Sequence, residues 1–205
     1  MKSIILNPDV HAPNTTHDIP FDPTYGYTLT DLLALRPPEE PREFEAFWKD
    51  RYRQAAEVAV DPERGSELEG TPDLRIWEVS YCSMGGVVIR GWLTLPRHGS
   101  VRRGFVVGHG YGGRDGPETD FPLCDESAIL YPCFRGLSLS RMEGVPARDS
   151  DHVLNGIDSP DSYILGGCVA DVWCGMTALQ QLVPEAGPNL FYSGGDNADS
   201  FLASQ

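Results

Sequence analysis

The spacing of apolar residues changes twice along the chain, and each change marks a different kind of element. Over residues 39–59, Phe44, Phe47, Trp48, Tyr52 and Ala55 recur at helical spacing. This predicts an amphipathic helix whose aromatic face packs on the domain rather than forming a ligand cage. A short helix is predicted over 28–35, closed by Arg36-Pro37-Pro38, with an irregular proline-rich arm over 1–27. Residues 61–73 are predominantly polar and read as a loop.

The period then falls to two. Residues 74–83 and 87–96 alternate on either side of Met84-Gly85-Gly86, which predicts a β-hairpin. Residues 104–110 form an apolar run between glycines, as expected of a strand buried on both faces, and count as the third strand. A further strand is expected around 128–134. Residues 161–183 predict a long apolar helix with the face Ile164, Val169, Val172, Trp173, Met176 and Leu179. After a turn at 184–188, residues 189–195 predict another strand ending in glycines. Hairpin, strand, strand, helix, strand is the opening of an α/β sheet with parallel central strands and crossover helices.

Composition narrows the function classes. A length of 205 residues suits one domain, and a net charge of −14 lacks the basic footprint of a nucleic-acid binder and repels anionic membranes. No run reaches the roughly 18 apolar residues of a membrane span. The apolar stretch of residues 1–10 is too short for a signal peptide, so a cytoplasmic location is expected. Five widely spaced cysteines (82, 124, 133, 168 and 174) give neither a disulfide framework nor a metal knuckle. Cys168 and Cys174, inside the apolar helix, are expected to be buried free thiols. No cofactor or metal is implied.

The candidate chemistry sits at "HGYGG", residues 109–113, directly after a buried strand. In α/β-hydrolase folds the loop after the third strand supplies a backbone N–H to the oxyanion hole. Glycines there let the backbone approach a carbonyl oxygen. Read together with "FEAFWKDR" (44–51), "GWLTLP" (91–96), "FRGLSLS" (134–140) and above all residues 152–179, the chain resembles carbohydrate esterase family 7, the acetyl xylan esterase / cephalosporin C deacetylase group. The resemblance runs in order from about residue 25 to 195. It implies an α/β-hydrolase fold, metal-free hydrolysis of acetyl esters of xylo-oligosaccharides or cephalosporins, and a hexameric assembly. Tyr111 then corresponds to the oxyanion tyrosine, whose main-chain N–H is the donor, with Gly110 and Gly112 beside it in the substrate-binding turn. His109 and Arg114 belong to the surrounding loop in a structural capacity. His152 precedes the long helix, the wrong place for a general base, and Asp171 reads as a paired or helix-packing carboxylate.

The rest of a catalytic triad has no matching residues. The family's G-x-S-x-G serine falls on Asp196, and no glycine follows it. Ser193 and Ser200 lack the flanking glycines of a strand-to-helix elbow, and "GLSLS" offers only Ser138, without the closing glycine. All five histidines (11, 17, 98, 109 and 152) precede residue 195, whereas the triad order needs one after the nucleophile. The expectation is therefore a single incomplete α/β-hydrolase domain, its C-terminal part lost by truncation or a frame change near residue 195. It comprises an N-terminal arm and helices over 1–60, core strands and crossover helices over 74–195, and a divergent tail over 196–205. Such a chain would be a deacetylase of impaired activity and marginal stability acting on a small acetylated carbohydrate. The alternatives are a non-catalytic acetyl-sugar binder or an interaction subunit of a hexameric esterase.

Overall fold

The structure, a computed structural model, describes residues 24–121 and 125–194. The chain divides into two compact units, residues 1–42 and 43–205. In the first, helix α1 (Leu29–Ala34) is held at its start by a capping box. Thr28 Oγ1 accepts the Asp31 N–H at 3.2 Å, and the Asp31 carboxylate accepts the Thr28 N–H at 2.9 Å. The proline-rich arm lies outside the described residues as far as residue 23.

The second unit opens with α2 (Phe44–Ala56), which begins at the first residue of the apolar pattern. Next comes β1 (Glu63–Leu68), which corrects the polar loop expected over 61–73. All six of its residues are exposed, so no alternation betrays it. It is held by an antiparallel ladder to β2 (Leu74–Ser83) and by the Arg75–Glu67 ion pair at 2.8 Å. The predicted hairpin forms from β2 and β3 (Val87–Pro96) with the expected limits. Then follow β4 (Arg103–Gly108), β5 (Ser127–Cys133), the short α3 (Asp149–His152), α4 (Ile164–Leu182) and β6 (Leu190–Gly194). Because β1 exists, the strand before "HGYGG" is the fourth in the chain, not the third.

The six strands run in the order β1-β2-β3-β5-β4-β6. The first three and β5 pair antiparallel, while β4 pairs parallel with both β5 and β6. Parallel neighbours require crossovers, and α4 provides the one from β5 to β6. Alternation sorts the strands onto two faces. Val79, Tyr81, Ile89, Leu93, Val106 and Leu130 meet α2 and α4 on one face. Ile76, Trp92, Phe105, Val107, Ile129 and Tyr131 form the second cluster, with Phe121 against it. Helix α4 is buried over most of its circumference, as its continuous apolar sequence requires. Truncating its fully buried Leu179 to alanine would cost about 2–5 kcal/mol. Cys133, Cys168 and Cys174 are buried and form no disulfide among the described residues, and Cys124 lies outside them. No helix among the described residues is long and apolar enough to cross a membrane.

Candidate active site

From β4 the chain leaves to one side to form β5, then returns through α4 to form β6 on the other side. The carboxyl ends of β4 and β6 therefore flank a topological switch point, where open α/β sheets place their ligands. The turn of residues 109–114 stands at this point. Gly113 N–H closes it onto the Gly110 carbonyl at 3.1 Å, and Gly113 takes φ +76°, a conformation that favours glycine. Its backbone also packs tightly, since a Cβ on Gly113 would stand 2.3 Å from Ser138 Oγ. Gly112 is exposed and a Cβ there would meet nothing within 4 Å.

Two side chains bracket the turn. His109 is 6% exposed, and its ring nitrogens have opposite roles. Nδ1–H donates to the Gly110 carbonyl at 2.7 Å, while Nε2 accepts the Phe134 N–H at 3.0 Å. That pair of partners specifies the neutral, Nδ1-protonated imidazole. Burial lowers its pKa to about 4, and the neighbouring Arg114 and His152 add to the effect, against an opposing contribution from the Gly110 bond. Arg114 is the second bracket. Its Nη2 donates to the Gly108 carbonyl at 2.6 Å, and its main-chain N–H donates to Ser138 Oγ at 2.8 Å. The guanidinium lies over the Tyr131 ring, 5.1 Å from the centroid. Burial pulls its pKa down, with Glu118 opposing.

Between these brackets, Tyr111 is half-buried against the α4-side core. Neither the Tyr111 nor the Gly112 N–H donates a hydrogen bond among the described residues. Two adjacent main-chain donors in a fixed turn at a switch point suit an oxygen that develops negative charge.

The other residues singled out from sequence are committed elsewhere. Ser138 opens a 3-10 turn at φ +49°, and its Oγ accepts the Arg114 N–H, so it joins two loops. Ser193 lies within β6, paired with Val107, not on an elbow. His152 is 1% exposed, and its Nε2–H donates to the Arg135 carbonyl at 2.8 Å. His98 follows β3, whose antiparallel pairing with β5 places it at the opposite end of the sheet from the turn. Asp196 and Ser200 lie outside the described residues.

Asp171 is fully buried and paired, with Arg135 as its partner. Arg135 Nη2 donates to Oδ1 at 2.6 Å, its Nε to Oδ2 at 3.0 Å and its main-chain N–H to Oδ2 at 3.1 Å. Ser83 Oγ adds a bond at 2.6 Å. Sequence reading did not single out Arg135. The signal was a carboxylate inside an apolar helix, which requires a buried cation from elsewhere.

The acetyl xylan esterase (AXE1) family model matches residues 24–167. The chain belongs to that family. Its fold agrees with solved members. Acetyl xylan esterase 1 from Thermoanaerobacterium sp. JW/SL YS485 superposes with a TM-score of 0.64 at 16% identity, over 80% of this chain and 54% of that one. Acetyl xylan esterase from Paenibacillus sp. R4 gives a TM-score of 0.62 at 19% identity, over 83% of this chain and 57% of that one. The chain thus spans a little over half the length of these two family structures, and the six-stranded mixed sheet with its flanking helices is the α/β-hydrolase-type architecture they share.

Proposed function

We propose that residues 24–194 supply the oxyanion half of a carboxylic-ester hydrolase site of the acetyl xylan esterase type. The substrate class is an acetylated sugar, whose ester carbonyl oxygen lies against the Tyr111 and Gly112 N–H groups. The observation that carries this reading is the pair of adjacent main-chain donors, on Tyr111 and Gly112, that have no partner among the described residues in a turn pinned by His109, Gly113 and Arg114. In a complete site a serine hydroxyl attacks the acetyl carbon, the carbonyl oxygen becomes an oxyanion at Tyr111 N–H, and water later releases acetate. One such donor is worth roughly two to three orders of magnitude in rate.

No described histidine is placed as the base for that attack. His109 has both ring nitrogens engaged, His152 is buried on the Arg135 carbonyl, and His98 is at the far end of the sheet. The reading for the 205-residue chain is therefore ester binding at the oxyanion turn, without a complete catalytic set among the described residues.

Titration of 15N-labelled protein with methyl tri-O-acetyl-β-xylopyranoside, with acetate release followed in parallel, tests this. Saturable amide shifts centred on Tyr111 and Gly112 support the reading, and their absence at millimolar ester overturns it. Acetate release above the spontaneous rate would mean that the chain completes a catalytic set outside residues 24–194.

A further inference from the structure

The Gly110–Tyr111 peptide carries the proposed oxyanion donor on one side and a doubly bonded carbonyl on the other. Gly110 oxygen accepts both the His109 Nδ1–H at 2.7 Å and the Gly113 N–H at 3.1 Å. A trans peptide is planar, so its N–H and C=O point in opposite directions, and the described chain has no cis peptides. Whatever fixes the Gly110 carbonyl therefore aims the Tyr111 N–H. Of its two partners, Gly113 N–H belongs to the turn and moves with it. His109 is anchored outside the turn, because its Nε2 accepts the main-chain N–H of Phe134, just beyond β5. Its ring also packs on Phe134, with centroids 4.5 Å apart.

We propose that His109 is the positioning residue of the oxyanion turn: through Nδ1–H it fixes the Gly110–Tyr111 peptide plane against β5 and so sets the direction of the Tyr111 N–H. The bond also polarises the peptide, since hydrogen bonds along a chain of amides strengthen one another, and this makes the N–H a better donor. The proposal rests on the oxyanion reading for its purpose but not for its geometry. A histidine that only fills the core would need both of its bonds equally. A positioning histidine needs the Nδ1 bond above all.

Two substitutions separate these roles. In His109→Asn the side-chain amide occupies the place of Nδ1 and keeps the donor to Gly110, while the Nε2 acceptor is lost. In His109→Gln the amide reaches the place of Nε2, keeps the acceptor for Phe134, and abandons Gly110. In the full chain, the Gly110 13C′ and Tyr111 15N shifts are expected to stay near wild type in His109→Asn and to move in His109→Gln. Affinity for methyl tri-O-acetyl-β-xylopyranoside, read at the Tyr111 amide, is expected to fall about tenfold in His109→Gln and to change little in His109→Asn, in line with loss of one buried hydrogen bond. Equal responses of Gly110 and Tyr111 in the two variants overturn the proposal.

The wild-type protein provides a check that depends on neither variant folding. Long-range 1H–15N correlation of the imidazole at pH 7 must show Nδ1 protonated and Nε2 bare, and the reverse tautomer overturns the proposal outright. If the tautomer and the variant shifts come out as expected while the Tyr111 amide ignores the ester, the oxyanion reading fails and the peptide lock stands.

Discussion

Two polar clusters lie close to the central strands, and they treat their hydrogen bonds in opposite ways. Around Asp171 each carboxylate oxygen is used, by Ser83 Oγ and the Arg135 guanidinium on one and by Arg135 main-chain and side-chain donors on the other. The Asp171 carbonyl also accepts the Tyr81 hydroxyl at 2.8 Å. At the 109–114 turn the carbonyl of Gly110 is doubly bonded, yet the next two N–H groups have no acceptor among the described residues. Burial explains the first case, because an unpaired charge between helix and sheet is expensive and cannot be left there. The second is affordable only where solvent or a ligand can reach, as at the exposed Gly112. One cluster commits all its hydrogen bonds to the fold, and the other is held in place by its surroundings with two donors left over.

The sharpest way to break this contrast is to remove one charge from the saturated cluster. Asp171→Asn leaves Arg135 buried without its counter-charge and is expected to cost about 3–5 kcal/mol in urea unfolding. A loss below about 1 kcal/mol would mean that the pair is no more important than a surface bridge.

Acid comes next in size. The His109 imidazole titrates near 6.5 when unfolded and at about 4 when folded. The unfolded chain therefore binds the proton first as pH falls. His109's contribution is complete above pH 6.5 and is lost on descending towards pH 4, in total about 3 kcal/mol. Chemical unfolding of wild type and His109→Asn across that window isolates the term, since only the wild-type curve should carry this slope.

Neighbouring glycines give two smaller and paired tests. Gly113→Ala strains a residue at φ +76° and drives a methyl group into Ser138, for an expected loss of about 2 kcal/mol in thermal unfolding. Gly112→Ala meets nothing and should change stability by less than about 0.5 kcal/mol. If the ester sits against the turn, Gly112→Ala should nevertheless weaken its binding, and unchanged binding would move the ligand away from Gly112.

The limits of sequence reading follow the same division. The β2–β3 hairpin was legible to the residue because a half-buried strand must alternate, and α4 was legible because a helix buried nearly all round must be apolar throughout. Strand β1 was not, since "ERGSEL" exposes every residue and so shows no alternation of buried and exposed positions. Helix α3 was missed as well, being a four-residue turn too short to show a period. At the site, the glycines of "HGYGG" revealed a close backbone approach. They could not reveal which ring nitrogen of His109 faces Gly110, because that depends on Phe134, twenty-five positions further along the chain. Arg135 was hidden for the same reason, as its partner lies on a helix that the intervening chain brings back across the sheet.

The hairpin also has a consequence for the order of folding. Its register runs unbroken from Leu74 opposite Pro96 to Ser83 opposite Val87, across a turn of only three residues. Closing so short a loop costs little chain entropy, whereas β4 must await residues beyond α4 before β6 can join it. The β2–β3 ladder is thus the natural early structure on which the parallel strands assemble, and its amides should be among the last to exchange with solvent deuterium.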